Sequence, residues 1–161
     1  MLIVLVGLLA LGAGVVGGVF FAFSSFVLKA LAQLEPTSGI AAMQRINVVV
    51  VQPLFLGVFV GTALLAALCG GWVLLRGPSG TGLVAVAAAV YGLGSFGVTL
   101  GFNVPRNDRL AKLDASSPAA HAYWPIYVRE WARWNHVRAV ASLAASALAG
   151  AALAHLPPGG A

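Results

Sequence analysis

Four long apolar runs separated by polar stretches organise this chain. They cover residues 2–28, 48–75, 82–102 and 135–156. Each reaches the roughly 20 residues a helix needs to cross a hydrocarbon core of about 30 Å. Charged residues fall almost wholly between the runs. Lipid offers no partner to exposed backbone groups, so each run is expected to be a helix. The predicted fold class is all-α: an integral membrane four-helix bundle, one domain over residues 1–161, with short extramembrane helices in the first and third connections. Met1-Leu2-Ile3 carries no cationic leader, and the first run is longer than a signal-peptide core, so it is predicted to be a retained span.

The connections differ in character. In the first, Glu35-Pro36-Thr37-Ser38 breaks the pattern. Ser38 is expected to cap a helix over residues 40–47 that runs directly into the second span, where Pro53 would kink it. The second connection, Gly77-Pro78-Ser79-Gly80, is predicted to be a tight turn with Arg76 beside it. In the third, Ser116-Ser117-Pro118 suits a helix start with proline at the first helical position. Pro125 is expected to force a bend or a second start. Residues 125–156 would span about 48 Å as one helix at about 1.5 Å per residue, so the first turns should project beyond the hydrocarbon. Small residues recur four apart at Gly14/Gly18, Gly57/Gly61, Gly97/Gly101 and Ser142/Ser146/Gly150. They are candidates for close helix packing, since lipid supplies no hydrophobic drive between helices.

Composition agrees with a membrane chain. Hydrophobic residues make up 60% and charged residues 8%, with mean hydropathy +0.96, where soluble domains carry about 25% charge. The net charge of +5 rests on only four acidic residues, so it signals few carboxylates rather than a nucleic-acid surface, and no nucleic-acid partner is expected. The single Cys69 excludes internal disulfides and thiolate metal clusters. Two lysines, Lys29 and Lys112, amid many Ala, Gly, Val and Arg residues suggest a GC-rich bacterial genome. Connections one and three hold Lys29, Arg45, Arg106, Arg109, Lys112, Arg129 and Arg133, and the other side holds only Arg76. The positive-inside rule then places connections one and three in the cytoplasm and both termini outside, in the cell (inner) membrane.

The unusual polar residues converge at one end. Because the spans alternate in direction, Ser24 and Ser25, Gln44, Asn47 and Gln52, Asn103 to Asp108, and Trp131 to Arg138 share one membrane face. Trp124, Tyr127 or Val128, Trp131, Asn135, Arg138 and Ser142 recur at three and four residues and form one helix stripe, with His136 about 100° off it. Such a stripe suits a pocket wall, with π-faces for a planar ligand and donors for its oxygens. Blander roles compete at each point. Trp124, Trp131 and Trp134 would form an interfacial belt, like Tyr123 and Tyr127. Arg109, Lys112, Arg129 and Arg133 would set topology. Ser24 and Ser25 would bond their own helix, Arg138 would snorkel, and Asp108 would pair with Arg106 and Arg109. Only His121 and His136 lie on the correct side for a shared metal, without ligand spacing, so no metal site is expected from the residues; a haem held by His136 stays open, without an attachment motif. Nucleotide loops and nucleophile elbows are absent from the sequence.

Four motifs in order carry a family resemblance: Gly18-Val19-Phe20-Phe21-Ala22-Phe23-Ser24, Met43-Gln44-Arg45-Ile46-Asn47, Asn103-Val104-Pro105-Arg106-Asn107, and Trp131-x-x-Trp134-Asn135-His136-Val137-Arg138. The pattern resembles the anthrone-oxygenase-like family of small four-helix membrane proteins. The resemblance implies oxidation of a planar, lipophilic anthrone or phenolic substrate with O2, without metal or flavin. On that chemistry His136 would act as base, its ordinary pKa lying near 6.5. Asn135, Arg138 and Asn47 would hold the oxyanion. Phe23, Ser24, Gln44, Asn103, Asn107, Trp131 and Trp134 complete the expected substrate site. The alternative is a non-catalytic membrane protein that binds a lipid, quinone or partner protein. A transporter is a third class, disfavoured by the short chain and by spans without a polar residue midway. Expected partners are the lipid bilayer, a planar aromatic or lipidic small molecule and, for an assembly, further copies of the chain.

Overall fold

Helix limits follow the backbone chemistry of the polar breaks more closely than the edges of the apolar runs. The structure, a computed structural model, describes residues 1–77 and 81–156, so Pro78, Ser79 and Gly80 of the predicted second turn lie outside the described residues. Five helices follow one another: α1 Leu2–Ala32, α2 Pro36–Val49, α3 Pro53–Arg76, α4 Gly82–Ala111 and α5 Pro118–Leu153. All but α2 are long and apolar enough to cross a membrane, and the described residues contain no strand. The protein is a multi-pass, four-span helical bundle. α1 packs on α3 and α5, α3 on α4, and α4 on α5, which closes a ring in chain order.

Two features depart from expectation at the prolines. α2 begins at Pro36, with Glu35 rather than Ser38 at its N-cap, and it does not run into the second span. It ends at Val49, and α3 starts afresh at Pro53, the first helical position where a missing N–H costs nothing. Pro125, by contrast, starts no second helix. α5 is continuous for 36 residues from Pro118, about 54 Å at about 1.5 Å per residue. The Ser117 hydroxyl caps it by accepting the Ala120 N–H at 3.2 Å.

The surplus length of α5 builds a second layer. Within the bundle, Leu9, Val16, Phe59, Tyr91 and Ala145 belong to one buried cluster. Beyond it, the first turns of α5 bury Trp124, Tyr127 and Trp131 against Ile40 and Met43 of α2 and Leu110 of α4. α2 thus lies as a cap over the polar end. Trp124 and Trp131 are core residues of this cap rather than an interfacial belt.

Close helix approach uses other small residues than most of those expected. A Cβ on Gly94 would sit 2.6 Å from the Ala141 Cβ, and one on Gly17 would sit 2.8 Å from the Leu143 Cδ2. Gly57, Gly61, Gly101, Gly18 and Gly150 have open space instead. The expected contribution of Gly14, Ser142 and Ser146 does occur. The Ser146 hydroxyl donates to Ala10 O at 2.8 Å, a Gly14 Cβ would lie 3.1 Å from that hydroxyl, and Ser142 bonds Ser95 at 2.8 Å.

Candidate functional site

A cavity of about 340 Å³ lies between the bundle core and the cap. Phe20 and Phe23 of α1, Met43 and Asn47 of α2, Phe55 and Phe59 of α3, Phe96 and Thr99 of α4, and Trp131 and Arg138 of α5 contribute to its wall. Local backbone geometry sets this up. α1 widens into a π-turn at Phe23–Val27 and α4 into two, at Val90–Gly97 and Thr99–Asn103. Each π-turn adds a residue to the turn and loosens carbonyl pairing, a feature common at functional sites. Here the wide turns carry Phe23, Phe96 and Thr99 into the cavity wall.

Among the described residues Arg138 is the one charged residue lining the cavity, and only 5% of its surface is exposed. Its guanidinium lies 4.0 Å from the Phe20 ring centre and 5.1 Å from that of Trp131. Nη2 donates to Asn135 Oδ1 at 2.6 Å and Nη1 to the Thr99 hydroxyl at 3.3 Å, while Nε has no hydrogen-bond partner. Thr99 can accept because its own proton goes to Ser95 O at 2.8 Å. No carboxylate among the described residues lines the cavity. Glu130 pairs instead with Arg106 at 2.9 Å, so the expected Arg106–Asp108 pairing is replaced, and Asp108 is exposed. A buried, unpaired cation costs several kcal/mol of desolvation even after relaxation, on the order of 5 kcal/mol. Cation–π contacts with two rings offset part of it.

Asn135 orients that cation. It is wholly buried, and its Nδ2 donates to Phe20 O and to Ser24 Oγ, both at 2.8 Å. With both amide hydrogens engaged, Oδ1 is left facing Arg138. Asn107 works in the same way on the aromatic side. Its Oδ1 accepts from the Tyr127 hydroxyl at 2.9 Å and from Trp131 Nε1 at 2.8 Å, which holds the indole edge. Asn47 lines the cavity beside the Tyr127 hydroxyl, and its Nδ2 is buried without a hydrogen-bond partner.

The structure sorts the sequence candidates into groups. Phe23, Asn47, Asn107, Trp131 and Arg138 line the cavity, and Asn135 and Ser24 stand directly behind Arg138. Gln44 and Asn103 are brought nearby but serve helix ends and packing. The Gln44 amide donates to Leu110 O and Leu113 O at 2.9 and 2.8 Å, covering carbonyls at the end of α4. Asn103 Nδ2 reaches Trp131 O at 3.3 Å. Trp134 stacks on Phe102 with ring centres 3.6 Å apart, outside the cavity. His136 is exposed on the outer face of α5 and is not part of the wall. His121 bonds Thr37 at 2.9 Å and Ala115 O at 3.1 Å. Among the described residues no three His, Cys, Asp or Glu side chains converge.

Sequence reasoning missed Phe55, Phe59, Phe96 and Thr99. Phe55 and Phe59 stack at 6.1 Å, and Phe59 meets Phe96 at 5.3 Å. Their four-residue spacing on α3 was a readable signal, muted because a phenylalanine in an apolar span draws no notice. The arrangement is an aromatic box whose unpaired polar atoms are donors. It suits a flat, apolar molecule with an electron-rich oxygen.

No curated protein and no solved structure matches the chain. The family model described as anthrone oxygenase does match, over residues 41–148, which takes in most of α2, all of α3 and α4, and Trp131, Asn135 and Arg138, and by this match over more than half its length the protein belongs to the anthrone oxygenase family.

Proposed function

We propose that the protein binds a planar, lipophilic phenol or anthrone-type molecule through its oxygen and oxidises it with O2. The observation that carries this reading is Arg138, a buried cation with no carboxylate partner, set in the wall of an aromatic cavity. Ionisable residues inside a membrane are costly and by default mark function. An enolate or phenolate oxygen supplies the missing negative charge, and a site of low dielectric makes that pairing strong.

In this scheme the guanidinium of Arg138 and the amide of Asn47 hold the ligand oxygen. Asn135 and Thr99 keep the guanidinium in place. Phe20, Phe23, Phe59 and Trp131 sandwich the rings. Stabilising the enolate makes the methylene proton of the ligand more acidic, and water accepts it, since no imidazole or carboxylate among the described residues lines the cavity. The carbanion then gives electrons to O2. The methylene loses two hydrogens and gains one oxygen as a carbonyl, and the second oxygen leaves as water. O2 takes up all the electrons released, so no further reductant enters the balance. We place the cap and its arginines on the cytoplasmic side, by the positive-inside rule.

Purified protein in nanodiscs, given an anthrone and O2, is expected to form the anthraquinone faster than empty nanodiscs and to lose that excess when Arg138 is replaced by Met. An excess rate that survives Arg138→Met would overturn the assignment. The lack of a proton-accepting side chain in the wall favours one second reading, a binding protein for the same ligands. Tight binding of the anthrone without oxygen uptake would establish it.

A further inference from the structure

The cavity has a side opening. α3 packs against α4 at Val90–Gly97 but scarcely touches it at Thr99–Asn103, so the two helices part toward the polar end. Lining residues at the gap include Leu56 of α3, Leu100 of α4 and Val51 of the α2–α3 break, which are 38%, 54% and 59% exposed. Nearby Gly57 and Gly101 are exposed, with open space where a side chain would stand. Among the described residues no charged group other than Arg138 lines the cavity, and two of the polar-end arginines are engaged elsewhere: Arg106 on Glu130 and Arg109 over the Tyr123 ring.

Depth places the opening in hydrocarbon. Leu100 precedes Arg106 by six positions, about 9 Å along the helix, and Leu56 follows Gln52 by four, about 6 Å. The Leu56 and Leu100 side of the rim therefore sits below the polar helix ends, on a surface that only apolar solvent covers well, while Val51 lies at the polar end beside Gln52. Toward the other side the cap closes the cavity with Met43 and Trp131.

We propose that the gap between α3 and α4 is a lateral portal, through which a planar lipophilic molecule dissolved in the bilayer reaches Arg138 without crossing water. The proposal rests on the cavity being the ligand site, as argued above, but not on any turnover there. The occupant is an uncharged flat molecule that partitions into lipid. Its oxygen leads toward the guanidinium, and its rings pass between Leu56 and Leu100. O2, which is also lipid-soluble, takes the same route. Ionisation follows arrival, so the charge forms only next to Arg138.

The test uses the full chain in phospholipid vesicles with an apolar aryl diazirine as probe, photolysed from within the bilayer and mapped by peptide mass spectrometry. Labelling is expected at Phe59 and Phe96 in the cavity and at Leu11, which faces outward at 69% exposure. In Leu56→Trp, Leu100→Trp and the double variant, labelling of Phe59 and Phe96 should fall several-fold, with Leu11 unchanged as the check on folding. Leu68→Trp, at the far end of the bundle, should change neither. Unlabelled Phe59 and Phe96 in the native protein, or labelling indifferent to both rim tryptophans, overturns the portal. A native protein labelled through the rim that oxidises no anthrone leaves the portal standing and removes the proposed oxidation.

Discussion

Replacing Arg138 by Met separates the contribution of this residue to folding from its contribution to ligand binding. Two large terms act on stability and oppose each other. Removing the guanidinium strands Asn135 Oδ1, now bonded at 2.6 Å, and an unsatisfied buried acceptor costs about 1–3 kcal/mol. The same change removes an unpaired buried ion, and swapping buried charge for an apolar side chain of similar volume is neutral or gains about 1–4 kcal/mol. The terms nearly cancel, so thermal unfolding in detergent should move by no more than about 5 °C. Ligand binding has no such compensation. A hydrogen bond to a charged group is worth about 1.5–3 kcal/mol, or about 10- to 150-fold in Kd. The assay is titration of an acidic planar phenol into protein in nanodiscs, followed by quenching of tryptophan fluorescence over a range of pH. Native affinity should rise with pH through the bound ligand's pKa, because Arg138 favours the anion. The variant should bind weakly, and its affinity should not rise with pH. An affinity loss under threefold, or a variant that fails to fold while Asn135→Leu folds, would refute the reasoning.

His136→Ala should leave ligand affinity and turnover within about twofold of native, because the ring lies on the outer face of α5; abolished turnover in a folded variant would restore the residue as base. Asn107→Leu strands the Tyr127 hydroxyl and the Trp131 N–H, bonded now at 2.9 and 2.8 Å. At about 1–3 kcal/mol for each orphaned donor, it should lower the unfolding midpoint more than Arg138→Met does. Gly94→Val should destabilise the bundle by prising α4 from Ala141 of α5, whereas Gly57→Val, in open space, should not; equal unfolding midpoints would contradict the packing. Asp114 accepts from the Ser116 N–H and hydroxyl at 2.8 and 2.7 Å, which holds its carboxyl below the usual carboxylate range. A depressed folded pKa stabilises above the unfolded value and is lost as pH falls through the folded one. The turn before α5 should therefore stay ordered at mildly acidic pH and loosen only in stronger acid, read by NMR titration of the Asp114 carboxyl.

Hydropathy made the four spans and their polar end readable, and the 3.6-residue period exposed the α5 stripe, because both depend on a side chain's own chemistry and its nearest neighbours on one helix. Trp124, Tyr127, Trp131, Asn135, Arg138 and Ser142 are all buried along that stripe. What stayed hidden depends on contacts between helices. The run Val48 to Val51 is apolar throughout, so nothing in its hydropathy marks the break before Pro53. Gln44 and Asn47 share a turn of α2 and a polar character, yet one faces carbonyls at and just past the end of α4, 66 and 69 positions on, and the other the cavity. Trp124 and Trp131 could be a belt or a core by composition, and only the cap formed by α2 decides. His136 and Arg138 show the same limit most sharply. They are two positions apart in one motif, and a turn of about 200° at 3.6 residues per turn sends one outward and the other into the bundle. Arg138 is retained at the cost of desolvation because Asn135, Thr99 and two aromatic faces hold it, and none of these neutralises it. A fold that needed only a topology signal would leave that charge at the surface, beside Arg129 and Arg133. Keeping it in the wall of an aromatic cavity is what the proposed anionic ligand would require, since that ligand would bring the compensating charge.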